Sequence, residues 1–396
     1  MTAFALTRRA FTAGIVATAA LALSVGTALA QDAPLKVGMI ATLSGPPAAL
    51  GNQARDGFLL ALEQMDGKLG GRTVDLTVED DELKPDVAQL KARGLVENGA
   101  DFVVGTIFSN MLQAIYKPIT GSETFLISPN AGPSTFAGKN CSPYFFVTSY
   151  QNDQNAEVLG EYANEKGYKR VFVLAPNYQA GRDQAQGFKK NFKGEIAGEV
   201  FTTLGAQDFS AELARIADAK PDALFTFMPG GMGVRLIKQF RAAGLADSID
   251  VLSTFTTDET TLPGQQDAAL DFYSAGAWAP DLDNEANKKF VSAFEEKYGY
   301  VPGSYAAHAY DTALLIDSAV KAVGGDVSDK DAVREALRKA DFPSVRGKFS
   351  FGPNHYPVQD FYLTKVVKRD DGKYATAIDR AVQPDYADGY AAECKM

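Results

Sequence analysis

The stretch LKVGMIATLSGPPAALGNQARDGFLLALEQM, residues 35–65, decides the fold. Residues 35–43 form a short apolar run, which reads as a strand buried on both faces. Apolar residues recur at helical spacing over 53–65, so a helix follows. Between them, SGPPAALG (44–51) stands where a dinucleotide fingerprint would stand. It is not Gly-x-Gly-x-x-Gly, its prolines remove two amide donors, and no lysine follows for a P-loop. Nucleotide binding is therefore not expected. The geometry remains useful, because ligands in open α/β sheets bind at the carboxyl ends of strands, where helix N-terminal amides point outward.

The same order continues outward from this stretch. TVDLTVED precedes the helix PDVAQLKARGLVENG, with Pro85 at its start and Gly99 past its end. ADFVVGT, a helix near Met111 to Tyr116, and TFLISP follow. A second series begins after YFFVTSYQNDQ, with strands RVFVLAP, GEVFTT, ALFTFMP, DVLSTF and FYSAGAWAP alternating with amphipathic helices. Such βα order predicts mainly parallel sheets, and a chain of 396 residues is too long for one ordinary core. Two lobes are expected. Three helices then follow, and FSFGPNHYPVQDFYLTKVVKRDDGKY alternates as short antiparallel strands do, with a turn at Asp370-Asp371-Gly372. No low-complexity linker separates the lobes, so short crossing segments near residues 148–152 are expected to join them.

Residues 1–30 read as a secretory signal, with Arg8 and Arg9 before an apolar run over 14–25 and small residues Ala28 and Ala30 ahead of the cleavage point. The run is shorter than the roughly 20 residues a permanent span needs. The arginine pair fits a twin-arginine signal as well as general secretion. The net charge of −10 becomes −12 once this segment, with two arginines and no acid, is removed. So acidic a surface is a poor partner for nucleic acid or anionic lipid. Cys141 and Cys394 are the only cysteines. In an exported chain they are expected to form a disulfide, the alternative being two unrelated thiols.

Enzyme signatures fail. The two histidines, His308 and His355, form no metal-ligand spacing. In FLISPNAGPS, residues 125–134, a nucleophilic Ser128 or Ser134 would need one of them as its base, and the glycine pattern of a nucleophile elbow is absent. No cofactor and no metal are expected.

At the strand ends KVGMIATLSGPPAALG, FVVGTIFSN, FLISPNAG, NYQAGRDQAQGF, GAQDFSAELARIADAKPDALF and AHAYDTALLIDSAVKA, the chain resembles the type I periplasmic solute-binding proteins of ABC importers. The closest group is the branched-chain amino-acid-binding (Leu/Ile/Val-binding) family, in an aromatic-acid-binding branch. Each motif alone is weak, whereas the ordered set over residues 35–374 is strong. The resemblance implies an α/β two-lobed clamshell, each lobe a mainly parallel sheet flanked by helices, with three crossing segments. Residues 31–148 plus 280–342 would form lobe 1 and 149–279 plus 343–374 lobe 2, leaving 375–396 as a C-terminal tail. It also implies a non-enzymatic periplasmic monomer that carries a small molecule to an inner-membrane ABC permease and its ATPase.

Departures from the family's pattern point to the ligand. Ser109 and the run Asn130, Ala131, Gly132 match the positions that hold an amino acid's carboxylate and amine. Ser109 and the amides of Asn130 and Gly132 are expected to donate to a carboxylate, whereas Gly132 lacks the hydroxyl that would meet an amine. Phe255 stands where amine-binding members carry a carboxylate, unless the alignment slips to Asp258 or Glu259; a buried ammonium facing Phe255 would lack its partner. Leu50, Ala180, Pro229 and Gly230 replace common aromatic positions and, with Phe108 and Tyr150, leave flat apolar surfaces suited to a ring, although each aromatic is equally well read as core. His308 reads either as packing or as a contact to a ligand hydroxyl or carboxylate. The expected ligand is a small carboxylate without an α-amine, of benzoate or hydroxycinnamate type. The alternatives are a branched-chain amino-acid or amide binder, a ligand sensor feeding a separate receptor, and a secreted hydrolase using Ser128 or Ser134 with His308.

Overall fold

Two sheets with helices against both organise the chain in the computed structural model, which describes residues 1–2 and 33–396. The expected signal and its cleavage point lie outside the described residues, apart from Met1 and Thr2. The first lobe begins β1 (Leu35–Ala41), α1 (Ala48–Gln64), β2 (Lys68–Leu69), β3 (Arg72–Asp80), α2 (Pro85–Glu97), β4 (Phe102–Gly105) and α3 (Ser109–Thr120). It continues through β5 (Phe125–Ser128), α4 (Ser134–Ala137) and β6 (Phe145–Val147). These six strands form one sheet in the order β2-β3-β1-β4-β5-β6, parallel except for β2 against β3. All of β4 and β5 is buried, as strands covered on both faces must be.

The chain then builds α5 (Gln154–Glu165), β7 (Arg170–Pro176), α6 (Gln179–Asn191), β8 (Glu195–Thr202), α7 (Ser210–Ala219) and β9 (Ala223–Phe227). After these come α8 (Gly231–Ala242), β10 (Asp250–Thr254), α9 (Leu262–Gln265) and β11 (Tyr273–Gly276). Helices α10 (Glu285–Tyr298), α11 (Ser304–Ala322) and α12 (Lys330–Lys339) follow, then β12 (Phe349–Phe351), β13 (Pro357–Lys368) and β14 (Tyr374–Tyr386). The second sheet runs β12-β13-β11-β10-β9-β7-β8, with β14 also on β13; strands β7 to β11 pair in parallel and the last three antiparallel. Helix α11 returns to pack on α1 of the first lobe, so close that a Cβ on Gly57 would come 2.1 Å from the Ala306 carbonyl oxygen. The chain therefore passes between the sheets in residues 148–153, 277–284 and 340–348.

The end of the chain corrects the expectation of a tail over 375–396. Its first twelve residues continue β14, whose partner is the long strand β13. Beyond it Asp388 is buried and accepts from Asn354 Nδ2, and Tyr390 donates through its hydroxyl to Asp153. Cys394 is bonded to Cys141, with Cα atoms 5.7 Å apart. The pattern of β14 hides this role, because it is an edge strand with an exposed, polar outer half.

A buried ion pair ties the first and third passages to α11. Arg346, in the third passage, donates from Nε to Asp311 of α11 at 3.0 Å and from Nη1 to the Ser149 carbonyl of the first passage at 3.3 Å. Asp311 also accepts from Ser344 Oγ and the Val345 amide, and Gln359 Nε2 donates to the same Ser149 carbonyl. The guanidinium lies 4.3 Å from the Phe349 ring centre.

Candidate ligand-binding site

The carboxyl ends of β4, β5, β7, β9 and β10 and the start of α11 converge on one cavity between the lobes. Its free space is only about 10 Å³, room for about one water, so the lobes must part to admit a ligand. Of the twelve ligand positions named from the sequence, nine line it: Leu50, Phe108, Ser109, Asn130, Ala131, Tyr150, Ala180, Pro229 and Phe255. Ile107, Asn152, Tyr178, Gln184, Phe227 and Tyr305 complete the wall, and no lining side chain carries a charge.

One wall is polar. Ser109 opens α3, so the first amides of that helix have no partner within it. Its hydroxyl oxygen accepts from Asn152 Nδ2 at 3.2 Å, which leaves the hydroxyl hydrogen to be donated into the cleft. Asn152 also donates to Asp183 Oδ2 at 2.9 Å and so ties Ser109 to the second lobe. Gln184 contributes a buried Oε1 with no hydrogen-bond partner. A helix N-terminus and a hydroxyl suit an anion without supplying a full positive charge.

The opposite wall is aromatic. Tyr150 stacks on Phe255 with ring centres 5.2 Å apart, and Phe255 meets Phe227 and Tyr305 edge-on at 6.1 and 5.9 Å. Tyr178 bridges Phe227 and Phe108 at 6.2 and 6.1 Å. Burial raises the phenols of Tyr150, Tyr178 and Tyr305 well above their ordinary range, so they stay protonated donors.

Three named positions stand elsewhere. Gly132 is outside the cavity wall: its amide donates to Asn152 Oδ1 at 3.1 Å and its carbonyl accepts from the Asn152 amide at 2.8 Å. The expected donation from the Gly132 amide to a carboxylate is therefore corrected. Its missing side chain answers to packing, since a Cβ there would come 1.9 Å from the Tyr150 carbonyl oxygen. Gly230 caps α8 with φ 64° and abuts Leu50 without lining the cavity. His308 lies behind Tyr150, in a neighbouring chamber. The side chain of Asn130 is also engaged, donating to the Ile107 carbonyl at 2.6 Å and accepting from the Tyr150 hydroxyl at 2.8 Å. Asn130 thus orients Tyr150.

The serines are placed for structure as well. Ser128 donates to the Ala131 carbonyl at 2.7 Å and Ser134 to Asp183 at 2.7 Å, and neither shares a hydrogen bond with a histidine. His355 stacks on Phe146 at 3.9 Å, far along the chain from either serine. Among the described residues, no cluster of metal-ligating side chains occurs, and no helix is long and apolar enough to cross a membrane.

Two buried acids around the cleft make stability depend on pH. Burial, then the Asp183 charge, raises Asp153 to about 7; burial, then the Asp258 charge, raises Glu259 to about 7. A raised carboxyl holds its proton in the native state where the unfolded chain has lost it, so stability falls as pH rises towards the folded value. His308 and His355 act oppositely: burial lowers both, His355 to about 3, so their cost appears only below the ordinary histidine value near 6.5. Between about pH 6.5 and 7.5 the loss from the two acids outweighs the opposing titration of the histidines in the unfolded chain, and stability is expected to fall by up to about 1 kcal/mol. Thermal unfolding of wild type, Asp153→Asn and Glu259→Gln across this window checks it; the variants should show flatter profiles.

Two lobes meeting on an uncharged cavity at strand ends define a solute-binding protein. The chain belongs to the periplasmic binding protein family, whose model matches residues 34–373. It is a periplasmic solute-binding protein of the ABC importer type, a class that binds small molecules and delivers them to a membrane permease. Similar chains include the Leu/Ile/Val-binding protein homolog 6 of Brucella melitensis, 29% identical over 91% of this chain and 94% of that one. A solute-binding protein of an ABC transporter from R. palustris, in complex with benzoate, superposes with a TM-score of 0.86 at 33% identity, over 92% of this chain and all of that one. Another, from Rhodopseudomonas palustris BisB5 in complex with 3,4-dihydroxybenzoic acid, gives 0.81 at 30% identity, over 89% and 98%.

Proposed function

We propose that this protein binds a small aromatic carboxylate, of benzoate or hydroxycinnamate type, for import through an inner-membrane permease and its ATPase. The observation that carries the reading is the cavity's division into a donor wall at Ser109 and α3 and an aromatic wall around Phe255, with no carboxylate among its lining residues. The carboxylate would take the Ser109 hydroxyl and the first amides of α3, and the ring would lie among Tyr150, Phe227 and Phe255. Ligands seen in the similar R. palustris proteins, benzoate and 3,4-dihydroxybenzoic acid, support this class. Contacts to both lobes, made only when they are together, would favour the closed form.

The names of the curated relatives favour a second reading, a branched-chain amino acid. An α-ammonium in this cavity would face Phe255 without a counter-charge, at a cost of several kcal/mol. Titration calorimetry with benzoate, 4-hydroxybenzoate, a hydroxycinnamate, leucine and isoleucine separates the two. Binding of an aromatic acid, weakened roughly tenfold to a hundredfold in Ser109→Ala, is expected from the loss of a hydrogen bond to a charged group. Binding of leucine or isoleucine with no response to any aromatic acid would overturn the reading.

A further inference from the structure

Behind the Tyr150–Phe255 pair lies a second chamber, with free space of about 30 Å³, and these two rings line both cavities. Its wall holds polar groups left without partners. Asn155 is wholly buried and neither its Oδ1 nor its Nδ2 makes a hydrogen bond. His308 is 1% exposed and neither ring nitrogen has a hydrogen bond of normal geometry, although the Pro129 carbonyl lies near enough to favour its proton. Asp258 is 7% exposed; its Oδ1 accepts from the Thr260 amide at 2.8 Å, while Oδ2 has no partner.

Buried polar groups are ordinarily paired, and three side chains with unpartnered atoms around one space point to a place that receives something. Phe255, which separates it from the cleft, has φ 55°, a left-handed conformation that a bulky side chain rarely adopts and that clusters at ligand sites. The groups offer a definite chemistry. Asp258 Oδ2 is an acceptor, raised by burial to about 6 and so ionised at neutral pH. Asn155 offers a donor and an acceptor, and neutral His308, its proton turned to the Pro129 carbonyl, offers an acceptor.

We infer that this chamber is a subsite for a hydrogen-bonding ring substituent, a hydroxyl or amino group, that reaches Asn155, Asp258 and His308 when Tyr150 and Phe255 turn aside. The inference rests on the aromatic-acid reading and narrows it to ring-hydroxylated or ring-aminated acids. A hydroxyl donates to Asp258 Oδ2 or His308 and accepts from Asn155 Nδ2, whereas a fluorine of similar size leaves all three groups unpaired.

Calorimetry with benzoate first tests the parent reading on its own, since benzoate carries no substituent. The subsite is tested by 3- and 4-hydroxybenzoate, 3- and 4-aminobenzoate, and the matching fluorobenzoates. At one ring position, the hydroxy or amino acid is expected to bind tenfold or more tightly than the fluoro acid, because unpaired buried groups penalise the analogue that cannot bond. Asn155→Ala and His308→Leu should each reduce that ratio severalfold. Thermal unfolding of each variant, with and without benzoate, separates a lost subsite from a lost fold. Benzoate binding with a ratio near one at both positions, the result if water alone fills the chamber, overturns the subsite and leaves the parent reading standing. A ratio unchanged in both variants, or an equal loss for every ligand, overturns it too.

Discussion

Asp311→Ala is expected to cost about 3–5 kcal/mol of stability, because it strands the Arg346 guanidinium in a site from which water is excluded. Both side chains are essentially inaccessible, at 1% for Arg346 and 0% for Asp311. Removing the carboxylate also frees the Ser344 hydroxyl and the Val345 amide, so three donors, with Arg346 Nε, lose an acceptor together. Denaturant unfolding measures the effect, and an unchanged midpoint would remove the ion pair from any structural role. Replacing both partners, Asp311→Leu with Arg346→Met, should recover much of the loss, since an apolar pair of similar volume replaces a buried ion pair at little cost. Arg346 also holds the Ser149 carbonyl, so the double variant should alter how readily the lobes part even where it restores stability. Small-angle scattering with and without ligand reads that directly.

Gly132→Ser carries the second large effect, and its direction is opposite to what the sequence suggests. From the family pattern, a serine here would restore an amine-binding hydroxyl and move selectivity towards amino acids. In the fold, the new Cβ would meet the Tyr150 carbonyl oxygen at 1.9 Å and Gln151 Cα at 3.3 Å, both backbone atoms that cannot rotate away. Relief requires moving the first passage between the lobes, which also carries Asn152 and Asp153. Stability is expected to fall by about 3 kcal/mol or more, the upper end for overpacking, with binding of every ligand weakened. Thermal unfolding and calorimetry with leucine and benzoate check it. A stable variant that gains leucine binding would reinstate the hydroxyl reading.

The contrast shows which features a sequence exposes. Strands such as ALFTFMP and RVFVLAP are legible because burial on both faces writes an apolar run into the chain itself. Their order carries most of the fold, and loops at their carboxyl ends carry most of the cavity. Tyr178 and Tyr305 escaped because each sits in a helix-start pattern, and Gln184 because it lies within a helix, all patterns that read equally well as packing; only the meeting of two lobes turns them to a common space. Asn152 could have been found from the polar run YQNDQ in a crossing segment, where an unusual density of amides needs partners. The close approach at Gly132 leaves no local trace, since the atom it must avoid belongs to a residue placed by the return of the chain. Strand β14 was illegible for another reason: it pairs along one edge only, and Asp379, Arg380 and Asp385 break its apolar face.

The bond from Cys394 to Cys141 gives the molecule a topology that its three passages alone do not. With 253 positions separating the two cysteines, the whole second sheet and helices α10 to α12 lie inside one covalent ring. A single peptide cleavage anywhere in that ring opens it without releasing a fragment, and the lobes stay joined until the disulfide is reduced. A nicked protein would therefore migrate as two pieces only under reducing conditions, and in an oxidising compartment it would remain one ligand-holding body.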